Sequence, residues 1–125
     1  WLSFEKRSTN LPQIFHVNWF RQDRNGKFLW PGFGDNLRVL EWIIARIDGK
    51  DVATETPIGF VPKPGSLNTQ GLEISPDQMK ELTDVGPKGW KEEMVRIKDY
   101  LSTYGSALSK ELVDETDRIQ KELNS

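Results

Sequence analysis

A chain of 125 residues, 36% hydrophobic and 29% charged, is material for one ordinary domain with a modest core, and is not the composition of a disordered polyelectrolyte. Its 17 basic and 19 acidic residues interleave to a net charge of -2, which argues against a surface for nucleic acid or anionic lipid. Cysteine is absent, so disulfides, thiolate zinc sites and a cysteine nucleophile are excluded together, and no apolar run reaches membrane-spanning length. A soluble, untargeted chain of the cytoplasm is the expectation.

The first residues, Trp1-Leu2-Ser3-Phe4, read as the last turn of a helix that starts earlier, so the chain is expected to be cut from something longer. After a polar linker, Ile14-Phe15-His16-Val17-Asn18-Trp19-Phe20 is rich in aromatic and β-branched residues and predicts a buried strand of a larger mixed sheet. Asn25-Gly26 is a strong turn signal, after which Lys27 to Trp30 predicts a short return strand, as a hairpin or an ordered loop. Pro31, Gly32 and Gly34 break regular structure. Asp35-Asn36 then offers capping chemistry to a helix carrying Leu37, Leu40, Ile43, Ile44 and Ile47, with Gly49 as its C-cap.

From Lys50 to Leu72 the prolines at 57, 62 and 64 predict a long pinned connection. Ser75-Pro76-Asp77-Gln78 has the pattern of a capping box with proline at the first helical position, and predicts a short helix through Leu82. Trp90, Met94, Ile97 and Leu101 trace one face of a longer helix. Leu108, Leu112, Ile119 and Leu123 trace another, expected to pair with it antiparallel.

The concentrated signal is Trp19, Phe20, Phe28, Trp30 and Phe33, set among Gly26, Pro31, Gly32 and Gly34 in what should be loop. Any one of these rings could simply plug the edge of a core. As a group they suit a planar heterocycle, because glycine permits close backbone approach and flat rings form the walls of a slot. Stacking contributes on the order of 1-3 kcal/mol per base but hardly distinguishes one base from another. Discrimination needs hydrogen bonds, and Asn36 offers both a donor and an acceptor for a purine edge, unless it only caps the helix. Neither G-x-x-x-x-G-K-[ST] nor G-x-G-x-x-G occurs, and Asp35 brings negative charge to the helix start, so the loop reads as the base end of a nucleotide site rather than its phosphate end.

Other candidates are weaker. His16, the only histidine, lies in an apolar run and reads as a hydrogen-bonded structural residue rather than a metal ligand. Glu92-Glu93 and Asp114-Glu115 fall on expected solvated helix faces beside basic residues. Ser3, Ser66 and Ser106 lack a nucleophile-elbow context, and the faint likeness of Gly26 to Gly34 to an RNA-recognition motif fails on residue order. No catalytic and no metal-binding residue is expected in this segment.

The run Phe15-His16-Val17-Asn18-Trp19-Phe20, followed by Phe28-Leu29-Trp30-Pro31-Gly32-Phe33-Gly34-Asp35-Asn36 and Arg38-Val39-Leu40-Glu41-Trp42, resembles GTP-dependent phosphoenolpyruvate carboxykinase. The resemblance continues through Arg46 to Gly49, Thr56 to Gly59 and the closing helices, which places the chain at that family's C-terminal end. It implies an α/β fragment, a strand and aromatic loop followed by about four helices. Residues 1-62 would then be part of the nucleotide-binding lobe, and residues 63-125 the proline-rich connection and C-terminal helical group. It implies a lyase of gluconeogenesis that decarboxylates oxaloacetate, with GTP and GDP as substrates and manganese or magnesium held by another part of the enzyme. The positions matching the guanine site are Phe20, Phe28 and Phe33 for stacking, with Trp19 adjacent, Asn36 on the guanine edge, and Gly34 and Asp35 shaping the loop. Asp35 stands where the family usually has glutamate. The phosphate loop, metal ligands, oxaloacetate-binding arginines and lid of the family precede this segment, so the fragment alone is expected to be inactive. Its partners would be guanine nucleotide and the rest of the parent enzyme, and the isolated fragment is expected to self-associate through the 14-20 edge. A competing expectation is an interaction module whose aromatic loop anchors another protein.

Overall fold

A computed structural model describes Phe4 and residues 7-125. The expected helix end at residues 1-4 falls outside this range apart from Phe4. The described chain gathers into two compact units, one built from Pro12–Glu55 with Phe60–Asp84, the other from Val85–Ser125 with Thr56–Gly59 and the described residues before Pro12.

In the first unit, residues 11-18 run without regular structure, and from Ile14 side chains alternate: Phe15, Val17 and Trp19 are half-buried, whereas Ile14, His16, Asn18 and Phe20 are exposed. The period-2 pattern of a strand is therefore present, but the expected buried strand is not. A ladder needs a neighbouring strand, and among the described residues none pairs with this segment. Phe20 N donates to Asn18 Oδ1 at 2.9 Å, an Asx-type turn that ends the extended run. His16 is exposed instead of buried in an apolar strand.

Arg21 to Leu29 doubles back on itself through a single antiparallel bridge between Gln22 and Phe28. Asp23 holds the bend, its Oδ1 accepting from the backbone N–H groups of Asn25 and Lys27 at 2.8 and 3.0 Å. Helix α1, Asn36–Ile47, follows a short 3-10 turn at Phe33–Asp35. It ends in a Schellman arrangement: Gly49 N donates to Arg46 O and Lys50 N to Ala45 O, with Gly49 at φ 78°, a conformation glycine adopts without a Cβ penalty.

The core of this unit is aromatic, with Leu29, Trp30 and Trp42 buried. Trp42 packs edge-on against Phe15 at 6.3 Å, and its indole N–H reaches Val52 O and Ser66 Oγ at 2.9 and 3.2 Å. The side of α1 bearing Leu37, Leu40, Ile44 and Ile47 is exposed, contrary to the core face that the spacing predicts. Helical periodicity specifies which side chains share a face; what covers that face is not local information.

The expected proline-rich connection contains a hairpin. Strands β1, Ala53–Thr56, and β2, Gly59–Pro62, form a two-stranded sheet across a two-residue turn at Pro57-Ile58. Alternation was hidden there because two prolines interrupt it, yet Pro57 occupies the turn and Pro62 the strand end, where no ladder donor is lost. Asp51 pairs with Lys63 beyond the hairpin, and that ammonium holds the Asp51 carboxyl below its ordinary range. Helix α2, Pro76–Thr83, begins as the sequence requires: Gln78 N donates to Ser75 Oγ at 3.1 Å and Ser75 N to Gln78 Oε1 at 2.9 Å.

The second unit is dominated by α3, Pro87–Ser102, and α4, Lys110–Glu122, which pack together across a 3-10 turn at Gly105–Ala107. Met94 and Leu123 are buried, and Lys98 on α3 reaches Asp117 and Gln120 on α4. Arg118 forks between Glu115 and Glu122 and donates to Pro57 O at 3.2 Å. Its guanidinium keeps the Glu115 carboxyl below its ordinary range. Among the described residues no helix is long and apolar enough to cross a membrane.

Candidate nucleotide-base site

The stretch from Trp19 to Asn36 is tethered at both ends. At its start, Arg21 Nη1 donates to Leu82 O and Asp84 O at 3.2 and 3.3 Å, fixing the doubled-back segment to the end of α2. At its finish, Asp35 accepts from Arg38 Nε at 3.2 Å, and the same guanidinium donates to Asn68 O at 2.9 Å. Between them Gly32 takes φ 145°, ψ -174°, a backbone region that a Cβ makes costly, and turns Phe33 outward.

These constraints open a cleft of about 720 Å³. Trp19, Phe20, Phe28, Phe33 and Asn36 all line it. Gly34 and Asp35 are not among its lining residues. Asp35 spends its carboxylate on Arg38 and makes no capping bond, although it occupies the N-cap position of α1. Sequence reasoning also missed three polar members of the lining, Lys27, Glu73 and Gln78. Glu73 and Gln78 lie some forty residues beyond the loop, and only the packing of the 66-78 segment could reveal them.

The rings in the cleft differ in how they are held. Phe33 is 92% exposed, Phe20 71% and Phe28 51%, although free energy favours burying each of them. Phe20 and Phe28 meet at 6.0 Å with planes 65° apart. Behind them Trp30 is buried, tilted against Trp19 at 6.3 Å, and donates its indole N–H to Asn36 Oδ1 at 2.9 Å. Asn36 is thus the first residue of α1, but its side chain reaches back to the loop and caps nothing. Chemically the cleft offers exposed ring faces and the Asn36 amide held beside them, a set suited to a flat heterocycle with hydrogen-bonding edges. Among the described residues no three histidine, aspartate or glutamate side chains gather as they would to hold a metal ion.

Comparison with known proteins adds the family. Residues 1-122 match the model described as the phosphoenolpyruvate carboxykinase C-terminal P-loop domain. The chain belongs to that family. It is 49% identical to the GTP-dependent phosphoenolpyruvate carboxykinase of Chlamydia muridarum over 98% of its length, which is 21% of that relative. It is 48% identical to the enzyme of the same name from Treponema pallidum over 98% of its length and 20% of the relative. With the Neocallimastix frontalis protein of that name it shares 46% identity over 100% of this chain and 21% of the relative. The chain therefore spans about a fifth of the length of these curated relatives. The family description names a P-loop, and this sequence contains no G-x-x-x-x-G-K-[ST] motif.

Proposed function

We propose that this chain forms the guanine-base-binding portion of a GTP-dependent phosphoenolpyruvate carboxykinase of the cytoplasm, converting oxaloacetate and GTP to phosphoenolpyruvate, carbon dioxide and GDP. The observation that carries the reading is the convergence of Trp19, Phe20, Phe28, Phe33 and Asn36 on one cleft, from positions spread over 18 residues of chain. The names of the relatives supply the nucleotide, and the cleft supplies a place for its base. Phe20, Phe28 and Phe33 stack on the heterocycle, Asn36 addresses its edge, and the backbone around Gly32 sets the shape of the slot.

Phosphate, oxaloacetate and the divalent metal, manganese or magnesium, are handled by the rest of the parent enzyme, and this segment alone is inactive. Its work is to select and orient the nucleotide. Positioning of this kind accelerates a reaction without touching the reacting atoms, since a misplaced substrate forfeits the benefit of orientation.

Calorimetric titration of the full-length protein with GDP and ADP tests the reading. GDP is expected to bind in preference to ADP, and Asn36→Ala to abolish most of that preference. Indifference to GDP in the wild-type protein would instead favour the aromatic loop as an anchor for another protein surface.

A further inference from the structure

The two ends of an asparagine amide are opposite instruments: the oxygen accepts, and the NH2 donates. Which end a ligand meets depends on what holds the other. Trp30 Nε1 is a donor only, and it lies 2.9 Å from Asn36 Oδ1. Rotating the amide by half a turn would set NH2 against the indole N–H, two donors facing each other at hydrogen-bond distance. The indole cannot yield easily, because Trp30 is only 7% exposed and leans on Trp19. Asn36 itself is fixed at the first position of α1. Among the described residues its Nδ2 donates to no protein atom, which leaves that donor to the cleft it lines.

We propose that Trp30 is the positioning residue for base selectivity: its buried indole N–H locks the Asn36 amide with NH2 turned to the ligand, so the cleft takes 6-oxopurines and refuses 6-aminopurines. At position 6 guanine carries an oxygen acceptor, where adenine carries an NH2 donor. A fixed amide donor bonds the first and opposes the second. A freely rotating amide would serve both bases, so selectivity lies in the lock as much as in Asn36. Hypoxanthine, which keeps the 6-oxo group and lacks the 2-amino group of guanine, should be accepted. This inference rests on the base-site reading and adds a cause for its specificity.

The test is calorimetric titration of the full-length protein with GDP, IDP and ADP. The wild-type protein is expected to bind GDP and IDP and to discriminate against ADP. In Trp30→Phe the ring is kept and the N–H removed, and the ratio of GDP to ADP affinity should fall roughly tenfold. Replacing Trp30 by 3-benzothienylalanine, which keeps the full bicyclic shape without the N–H, should do the same and covers the case in which Trp30→Phe folds poorly. Asn36→Asp keeps an acceptor for the indole but offers a second oxygen in place of NH2, and should weaken GDP and IDP alike while sparing ADP. A wild-type selectivity ratio in a folded protein lacking the indole N–H would overturn the lock while leaving the base site intact. A wild-type protein that binds GDP and ADP equally would overturn the base-site reading itself.

Discussion

In the α3 and α4 pair, Met94 and Leu123 are buried while Glu115, Arg118 and Glu122 face outward and pair with one another; in the loop from Trp19 to Asn36, Phe33, Phe20 and Phe28 face outward while an indole is buried beneath them. The first arrangement is what minimises free energy for an amphipathic pair of helices. The second leaves large rings in water and uses Gly32, in a conformation other residues adopt only with strain, to do so. Apolar side chains that a fold holds out of its own core are available to something else. The contrast separates apolar residues buried in a core from apolar residues left facing solvent.

Substitutions can break that comparison. The largest expected effect is at Met94, where replacement by alanine removes most of a fully buried side chain and should destabilise the protein by about 2-5 kcal/mol in urea denaturation. If Met94→Ala were neutral, the helical pair would not be the stabilising element described. Phe33→Ala makes the opposite case. Stability should stay within about 0.5 kcal/mol of wild type, since the ring is already in solvent. GDP binding measured by calorimetry should weaken by ~1-3 kcal/mol, the contribution of one stacked ring. A stability loss without a binding loss would reverse the assignment of this residue.

Smaller effects sharpen the boundary between the two kinds of residue. Ser75→Ala removes the cap of α2, the helix that brings Gln78 to the cleft, and should cost about 1 kcal/mol, read as faster amide exchange in the first turn of that helix. The smallest effect expected is at Asp51, exposed and held below the ordinary carboxylate range by Lys63. A carboxylate whose pKa is lower folded than unfolded stabilises the fold above the ordinary range and loses that contribution as pH falls through the lowered value. An NMR titration should therefore show Asp51 protonating at lower pH in wild type than in Lys63→Met, with no difference near neutrality. Coincident titrations would remove the ion pair from the account.

Local signals were legible wherever a few adjacent residues settle the matter. The Ser75-Gln78 box, the Gly49 terminus and the Trp90-Met94-Ile97-Leu101 face all follow from spacing and from side chains that serve their own backbone. The hairpin at 53-62 was missed because its prolines masked the alternation, and the strand expected at 14-20 lacks the partner that would make it one. The composition of the loop singled out the rings and Asn36, which the structure brings to one cleft. Sequence adjacency to a lining residue says nothing about direction: Gly34 and Asp35 lie outside the lining, and the Asp35 carboxylate accepts from Arg38, which also reaches Asn68.

By itself, then, the sequence determined the chemistry of the Trp19-Asn36 stretch: flat rings, a backbone loosened by glycine, and an amide with both a donor and an acceptor. Tertiary structure decided which rings stand exposed in the cleft and which one is buried in its wall. It decided as well that Glu73 and Gln78 join the lining from a distant part of the chain, and that the Asn36 oxygen is held by Trp30. The physical reason is that a hydrogen bond's direction depends on where both partners are held. The five intervening residues fix that only when Gly32, the buried indole and the start of α1 are all in place.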